Sequence, residues 1–176
     1  MGMIKNGIWT DQFDQRIIAG EFKREPSVFD KPITPEIQQR LRISPEEFII
    51  VASKSCPWSH RVLLVLALTG LNRHIPVHFA SGPRDQGYRL MPHGPLSNVI
   101  QTTPSYVHHL YKMTSKNYTG RSTVPILWDK KHNRIISNDS TLIIKALATL
   151  CDRKQPTLYP THLVQKIDLF NDDLHD

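Results

Sequence analysis

The chain has 176 residues, 39% of them hydrophobic and 22% charged, with a formal net charge of +6. Such a composition is that of a globular protein and excludes the disordered, collagen-like and membrane-spanning classes; the most apolar stretch, Val62 to Leu71, is broken by Thr69 and bounded by Arg61 and Asn72, well short of the roughly 18 apolar residues a spanning helix needs. The basic residues are scattered singly or in short groups such as Lys23-Arg24 and Lys130-Lys131-His132, without a basic stripe interleaved with aromatics, so neither a nucleic acid nor a membrane is an expected partner.

Residues 1–46 read as an irregular leader wrapped around the outside of a core, because Pro26, Pro32, Pro35 and Pro45 interrupt any long helix; Pro35 to Leu41 has room for a short one. The N-terminus carries Asp11 and Asp14 and lacks the apolar middle of a secretion signal, which makes a cytoplasmic, reducing setting the expectation. From Glu47 the pattern changes. Phe48 to Ala52 is a short, β-branched apolar run that predicts a buried strand, followed by a loop from Ser53 to Pro57 and a helix from Ser59 to about Leu71, with Gly70 and Asn72 as stop signals. Ile75 to Ala80 predicts a second strand, held to an edge or a late start by Pro76.

Residues 81–121 are rich in Gly, Pro and polar side chains and read as an insertion, with a helix expected over Ser105 to Met113. Val124 to Asp129 and Arg134 to Ser137 predict two strands of a hairpin, and Ser140 to Cys151 a helix whose apolar residues Leu142, Ile143, Ala146, Leu147 and Leu150 recur at helical spacing. A further helix is expected near His162. The order βαβ, insertion, ββα is that of an α/β, thioredoxin-like domain over residues 47–152, with residues 153–176 as a linker and the start of an all-helical C-terminal domain.

Three short segments carry chemistry. Cys56 falls between a buried strand and a helix, and Pro57 suits a first helical turn. Free amides at a helix start favour a thiolate, and Lys54, His60 and Arg61 add positive charge nearby; the competing reading is an inert buried cysteine. Ser59 stands where a CxxC motif has its second cysteine, so an external thiol would have to resolve any mixed disulfide. Thr123-Val124-Pro125 heads a strand, where a cis X-Pro bond would offer the Val124 backbone to an extended thiol peptide, and an ordinary trans proline is the alternative. Asn138-Asp139-Ser140 opens a helix whose free amides and Ser140 hydroxyl suit a carboxylate while Asp139 suits an ammonium group; simple N-capping accounts for it equally. Trp58 either walls the pocket or packs under the leader. Cys151 ends an apolar helix face and reads as core. His108 and His109 are adjacent, no metal-binding spacing occurs, and no metal is expected.

Glu21 to Phe29, then Cys56-Pro57-Trp58-Ser59-His60-Arg61, then Gly120 to Asp129, then Ser137-Asn138-Asp139-Ser140 together resemble the glutathionyl-hydroquinone reductases, the Xi class of glutathione transferases. The resemblance runs from about Glu21 to the end of the chain. It implies a glutathione-dependent oxidoreductase in which Cys56 attacks the sulfur of a glutathionyl hydroquinone and is left as a mixed disulfide that a second glutathione resolves. Glutathione, the co-substrate, would be held by Val124, Pro125, Asp139 and Ser140, with Trp58, Arg121 and Tyr88 as further contacts. Partners would be glutathione and glutathionylated aromatic small molecules, with a homodimer compatible. Tyr88 stands where the family typically has Trp, and Asp139 where it has Glu. The chain would then end within the first helix of the second domain, and the alternative is a non-catalytic glutathione-binding or protein-interaction module that lost turnover with that domain.

Overall fold

The computed structural model describes residues 2–12, 17–18, 21–22, 27–100, 104–150 and 157–173. The N-terminal stretch is not the irregular wrapping expected of it. Strands β1 (Met3–Lys5) and β2 (Ile8–Thr10) form an antiparallel hairpin whose turn is Asn6-Gly7, both residues at positive φ. Asn-Gly is the pair that a two-residue hairpin turn favours. A side chain at Gly7 would also strike the Lys116 carbonyl oxygen at 2.0 Å. Ile4 is 1% exposed and belongs to the core, so the hairpin enters the fold rather than covering it. A second small hairpin joins β3 (Ile17–Ile18) to β4 (Glu21–Phe22).

Helix α1 (Pro35–Ile43) starts with Pro35 in its first turn and Thr34 as its cap. Strand β5 (Phe48–Ala52) is buried at every residue. It leads to α2 (Pro57–Leu68), β6 (Val77–Ser81), β7 (Arg89–Leu90) and α3 (Val107–Thr114). Strands β8 (Ile126–Asp129) and β9 (Arg134–Ser137), helix α4 (Ser140–Ala148) and helix α5 (Val164–Asp173) complete the order. The main sheet runs β7-β6-β5-β8-β9, with β5 and β6 parallel and the other neighbours antiparallel. This is the thioredoxin-like arrangement. Pro76 acts as a late start, since β6 begins at the next residue, while the two-residue β7 covers its outer edge and was not legible in the insertion. Cys151 and its expected place at the end of α4 lie outside the described residues.

The period of a strand divides the core in two. Ile49 and Val51 face a cluster completed by Val107, Leu110, Tyr111 and Trp128, whereas Phe48, Ile50 and Ala52 face one completed by Leu41, Val62, Leu66 and Leu147. Leu64 and Leu68 on α2 and Leu169 and Phe170 on α5 are left exposed. Among the described residues no helix is long and apolar enough to cross a membrane.

An ion-pair cluster ties α1 to the far end of β8. Asp129 is wholly buried and receives both Arg40 guanidinium nitrogens, at 2.7 and 3.0 Å, the Lys131 and His132 amides, and the His132 ring at 2.8 Å. Arg40 also reaches Glu47 at 2.6 Å. Burial alone would raise the Asp129 carboxyl, but the bonds from Arg40 and His132 and the Arg40 charge outweigh it and hold the group down to about 2. Removing one partner strands a buried charge, so Arg40→Met is expected to lower the unfolding free energy by about 3 kcal/mol in urea denaturation. Because the folded-state value is depressed, the stabilisation is present above the ordinary carboxylate value of 3.8 and is lost as pH falls towards about 2; the urea midpoint should drop across that window and less so in Arg40→Met.

Candidate functional site

Cys56 is the N-cap residue of α2, with Pro57 at the first helical position. The loop before it is braced from within: the Ser53 amide donates to Ser59 Oγ at 3.2 Å, the Cys56 amide to the Ser53 carbonyl at 3.1 Å, and the His60 amide to the Cys56 carbonyl at 3.0 Å. Ser59 thus spends its hydroxyl on holding the loop. Cys56 is 7% exposed, and its thiol donates to the Val124 carbonyl at 3.3 Å. Two segments 68 positions apart meet at that contact.

The Val124-Pro125 bond is cis. Its approach is fixed by a half-buried polar knot that the amino-acid pattern did not disclose. The Tyr111 hydroxyl donates to the Thr123 carbonyl at 2.9 Å and accepts from the Thr123 amide at 3.1 Å. Asn138 Nδ2 donates to Tyr111 Oη at 2.8 Å and to Thr123 Oγ1 at 3.2 Å, and Asn138 Oδ1 accepts from Ser27 Oγ at 2.6 Å. Asn138 therefore links the head of α4 to the backbone beside Cys56.

At that helix head the expectation of free amides needs correction. Asp139 Oδ1 accepts from the Thr141 and Leu142 amides at 2.7 and 3.0 Å, so Asp139 caps α4 and consumes two of the donors a carboxylate ligand would use. Ser140 differs: it is 3% exposed and its Oγ is buried with no hydrogen-bond partner among the described residues. Buried hydroxyls are seldom left so.

The positive charge expected from Arg61 points elsewhere. Its guanidinium bonds Asn171 of α5 and lies 5.7 Å from the Trp58 ring centre. Burial lowers its affinity for the proton, and Asp139 opposes that shift. Lys54 is exposed over the Phe79 ring, and His60 is exposed. A cation that the sequence reading missed, Arg84, reaches the residue before Cys56. It donates to Ser55 Oγ at 3.2 Å and covers the Tyr88 ring at 4.2 Å. Tyr88 packs against the cluster containing Cys56; burial, then the charge of the neighbouring Cys56, raise its phenol above the usual range, while Arg84 opposes. A single Arg in an exposed loop carries no sequence signal, since only the folded path of residues 82–88 brings it to Ser55. Trp58 is half-buried against the same cluster. Arg121 is half-buried, with its carbonyl accepting from the Tyr118 hydroxyl at 2.9 Å. Among the described residues no group of three or more His, Cys, Asp or Glu side chains is placed to hold a metal ion.

Residues 55–150 match the family described as glutathione S-transferase, N-terminal domain. A curated relative, glutathionyl-hydroquinone reductase PcpF of Sphingobium chlorophenolicum, is 31% identical over 176 residues, covering 97% of this chain and 55% of its own. Among solved structures, the Xi class glutathione transferase of Natrialba magadii aligns with a TM-score of 0.78 at 27% identity, covering 99% of this chain and 55% of that one. The glutathione-bound YqjG of Escherichia coli aligns with a TM-score of 0.63 at 32% identity, covering 73% and 44%. The chain spans about half the length of the curated relatives it matches.

Tyr111→Phe removes one hydroxyl that serves the Thr123 carbonyl, the Thr123 amide and Asn138. Leaving those groups unsatisfied should cost about 2 kcal/mol, measured as a lower unfolding free energy in denaturant.

Proposed function

The chain belongs to the Xi class of glutathione transferases, the glutathionyl-hydroquinone reductase family, and from that membership we propose that it is a glutathione-dependent thiol reductase with Cys56 as its nucleophile. The observation that carries the proposal is the contact between Cys56 at the head of α2 and the Val124 carbonyl. It sets a sulfur beside a backbone segment that an extended thiol peptide could pair with.

In the proposed reaction the Cys56 thiolate attacks the glutathione sulfur of an aryl thioether. The new bond joins Cys56 Sγ to that sulfur, the aryl carbon–sulfur bond breaks, and the ring carbon takes the electron pair and a proton to give the hydroquinone. A second glutathione thiolate then attacks the same glutathionyl sulfur, releasing glutathione disulfide and the Cys56 thiolate. One glutathione thiol is consumed: its sulfur and the former thioether sulfur are oxidised to the disulfide, and the ring carbon is reduced from C–S to C–H. Ser59 bonds the Ser53 amide and offers no internal thiol, which favours resolution by an external one.

Glutathione binding is assigned to the groups that remain open. The Val124 backbone pairs with the tripeptide, and the Ser140 hydroxyl, without a partner among the described residues, donates to the γ-glutamyl carboxylate. Asp139 Oδ1 is committed to capping, leaving Oδ2 to accept from the ammonium group. Tyr88, under Arg84, takes the place of the family's indole against the sulfur, with Trp58 and Arg121 as outer contacts.

Incubation with glutathione disulfide is expected to add one glutathionyl group, located by mass spectrometry at Cys56 and absent in Cys56→Ser; an unmodified Cys56 would overturn the reading. Hydroquinone release from a glutathionyl hydroquinone separates a reductase from a binding module, which would take up glutathione without turnover. Ser140→Ala should weaken glutathione binding about tenfold, the effect of losing one hydrogen bond to a charged group, without lowering thermal stability, because its hydroxyl has no partner among the described residues.

A further inference from the structure

The N-terminal hairpin is built into the fold through the segment that precedes β8. The Ile4 and Gly120 backbones exchange two hydrogen bonds of 2.8 Å, and the Gly7 amide donates to the Tyr118 carbonyl at 2.9 Å. Strand β2 carries Trp9, whose indole stacks on His108 at 4.7 Å between ring centres. Gly2 lies against the same indole, where an added Cβ would stand 2.5 Å from it. The ring also covers Gly87, since a Cβ there would lie 3.1 Å from Trp9 Cη2.

Gly87 belongs to the loop that carries Arg84 and Tyr88, and each residue from Asp85 to Tyr88 has a separate hold. Tyr106 donates to Asp85 Oδ2 at 3.4 Å, the His108 ring bonds the Gln86 carbonyl at 3.1 Å, Trp9 covers Gly87, and the Val107 amide donates to the Tyr88 carbonyl at 2.9 Å. Three of these holds come from the start of α3. The fourth comes from the N-terminal hairpin, which also steadies His108 by stacking. Residues 83–86 are otherwise exposed, so the loop has little buried surface of its own with which to keep Tyr88 in place.

We propose that Trp9 is a positioning residue for the Cys56 site, the N-terminal hairpin acting through Gly87 and His108 to hold Tyr88 and Arg84 over the sulfur. The inference extends the glutathione-dependent reading above, but its geometry concerns only access to Cys56. Losing the indole frees the loop, which uncovers Cys56 to a small reagent while removing an ordered wall from the site of a larger one.

The test is the rate of Cys56 alkylation by iodoacetamide in the full chain, read by peptide mapping so that Cys151 is scored separately. Trp9→Ala is expected to raise that rate about fivefold through more frequent local opening, with Trp9→Phe close to the unsubstituted chain and Trp9→Leu between them. Tyr88→Ala should raise it too, and the double variant should react no faster than Tyr88→Ala alone, the non-additivity expected of two residues in one path. Thermal denaturation checks that each variant is folded, and Trp9→Leu carries the test if Trp9→Ala is not. An unchanged rate in Trp9→Ala or Trp9→Leu, or effects that multiply in the double variant, would overturn the proposal. Iodoacetamide needs no bound glutathione, so a chain that shows this coupling yet forms no adduct with glutathione disulfide would refute the reductase reading and leave the positioning role standing.

Discussion

Strand β5 has no exposed residue, and a backbone cut off from water must find hydrogen-bond partners on both sides. It finds β6 on one side and β8 on the other. The antiparallel register with β8, which sets Val51 opposite Ile126, makes the end of one strand the beginning of its neighbour. The loop leaving β5 therefore meets the segment entering β8. Cys56 leaves β5 by that loop, Val124 enters β8 by that segment, and their 3.3 Å contact follows from that register.

Around that contact the polar groups are divided unevenly. Tyr111, Thr123 and Asn138 satisfy one another, Ser59 serves Ser53, and Asp139 serves the first turn of α4. Of the site hydroxyls named above, Ser140 Oγ is buried without a partner among the described residues. A network in which neighbouring groups are satisfied gives a rigid frame, and within it the Ser140 hydroxyl is a donor left unspent. That division is what supports the proposal that the γ-glutamyl end of glutathione binds at the head of α4.

The elements bearing the site were legible where one local pattern dominated. Phe48 to Ala52 is too short and too β-branched to be anything but a buried strand, and Pro57 after Cys56 marks a helix start that the fold adopts. Capping by Asp139 was one of two readings open in advance, and the structure shows it. What escaped notice depends on contacts between distant segments. The Asn6-Gly7 turn was a readable signal, but three-residue strands on either side give no alternation to support it. Arg84 reaches Ser55 across 29 positions, and Tyr111, Thr123 and Asn138 come from three separate stretches of chain. The direction of Arg61 was misjudged for the same reason: its neighbours in the chain suggested Cys56, whereas its partner is Asn171, 110 positions away.

Two-dimensional amide NMR of the Cys56→Ser chain titrated with reduced glutathione tests whether these separated segments make one site without relying on covalent chemistry. A single glutathione site predicts saturable shifts concentrated at Val124, at the Asp139 and Ser140 amides and in the loop bearing Tyr88. Shifts confined to other surfaces, or none at glutathione concentrations that saturate related transferases, would contradict it.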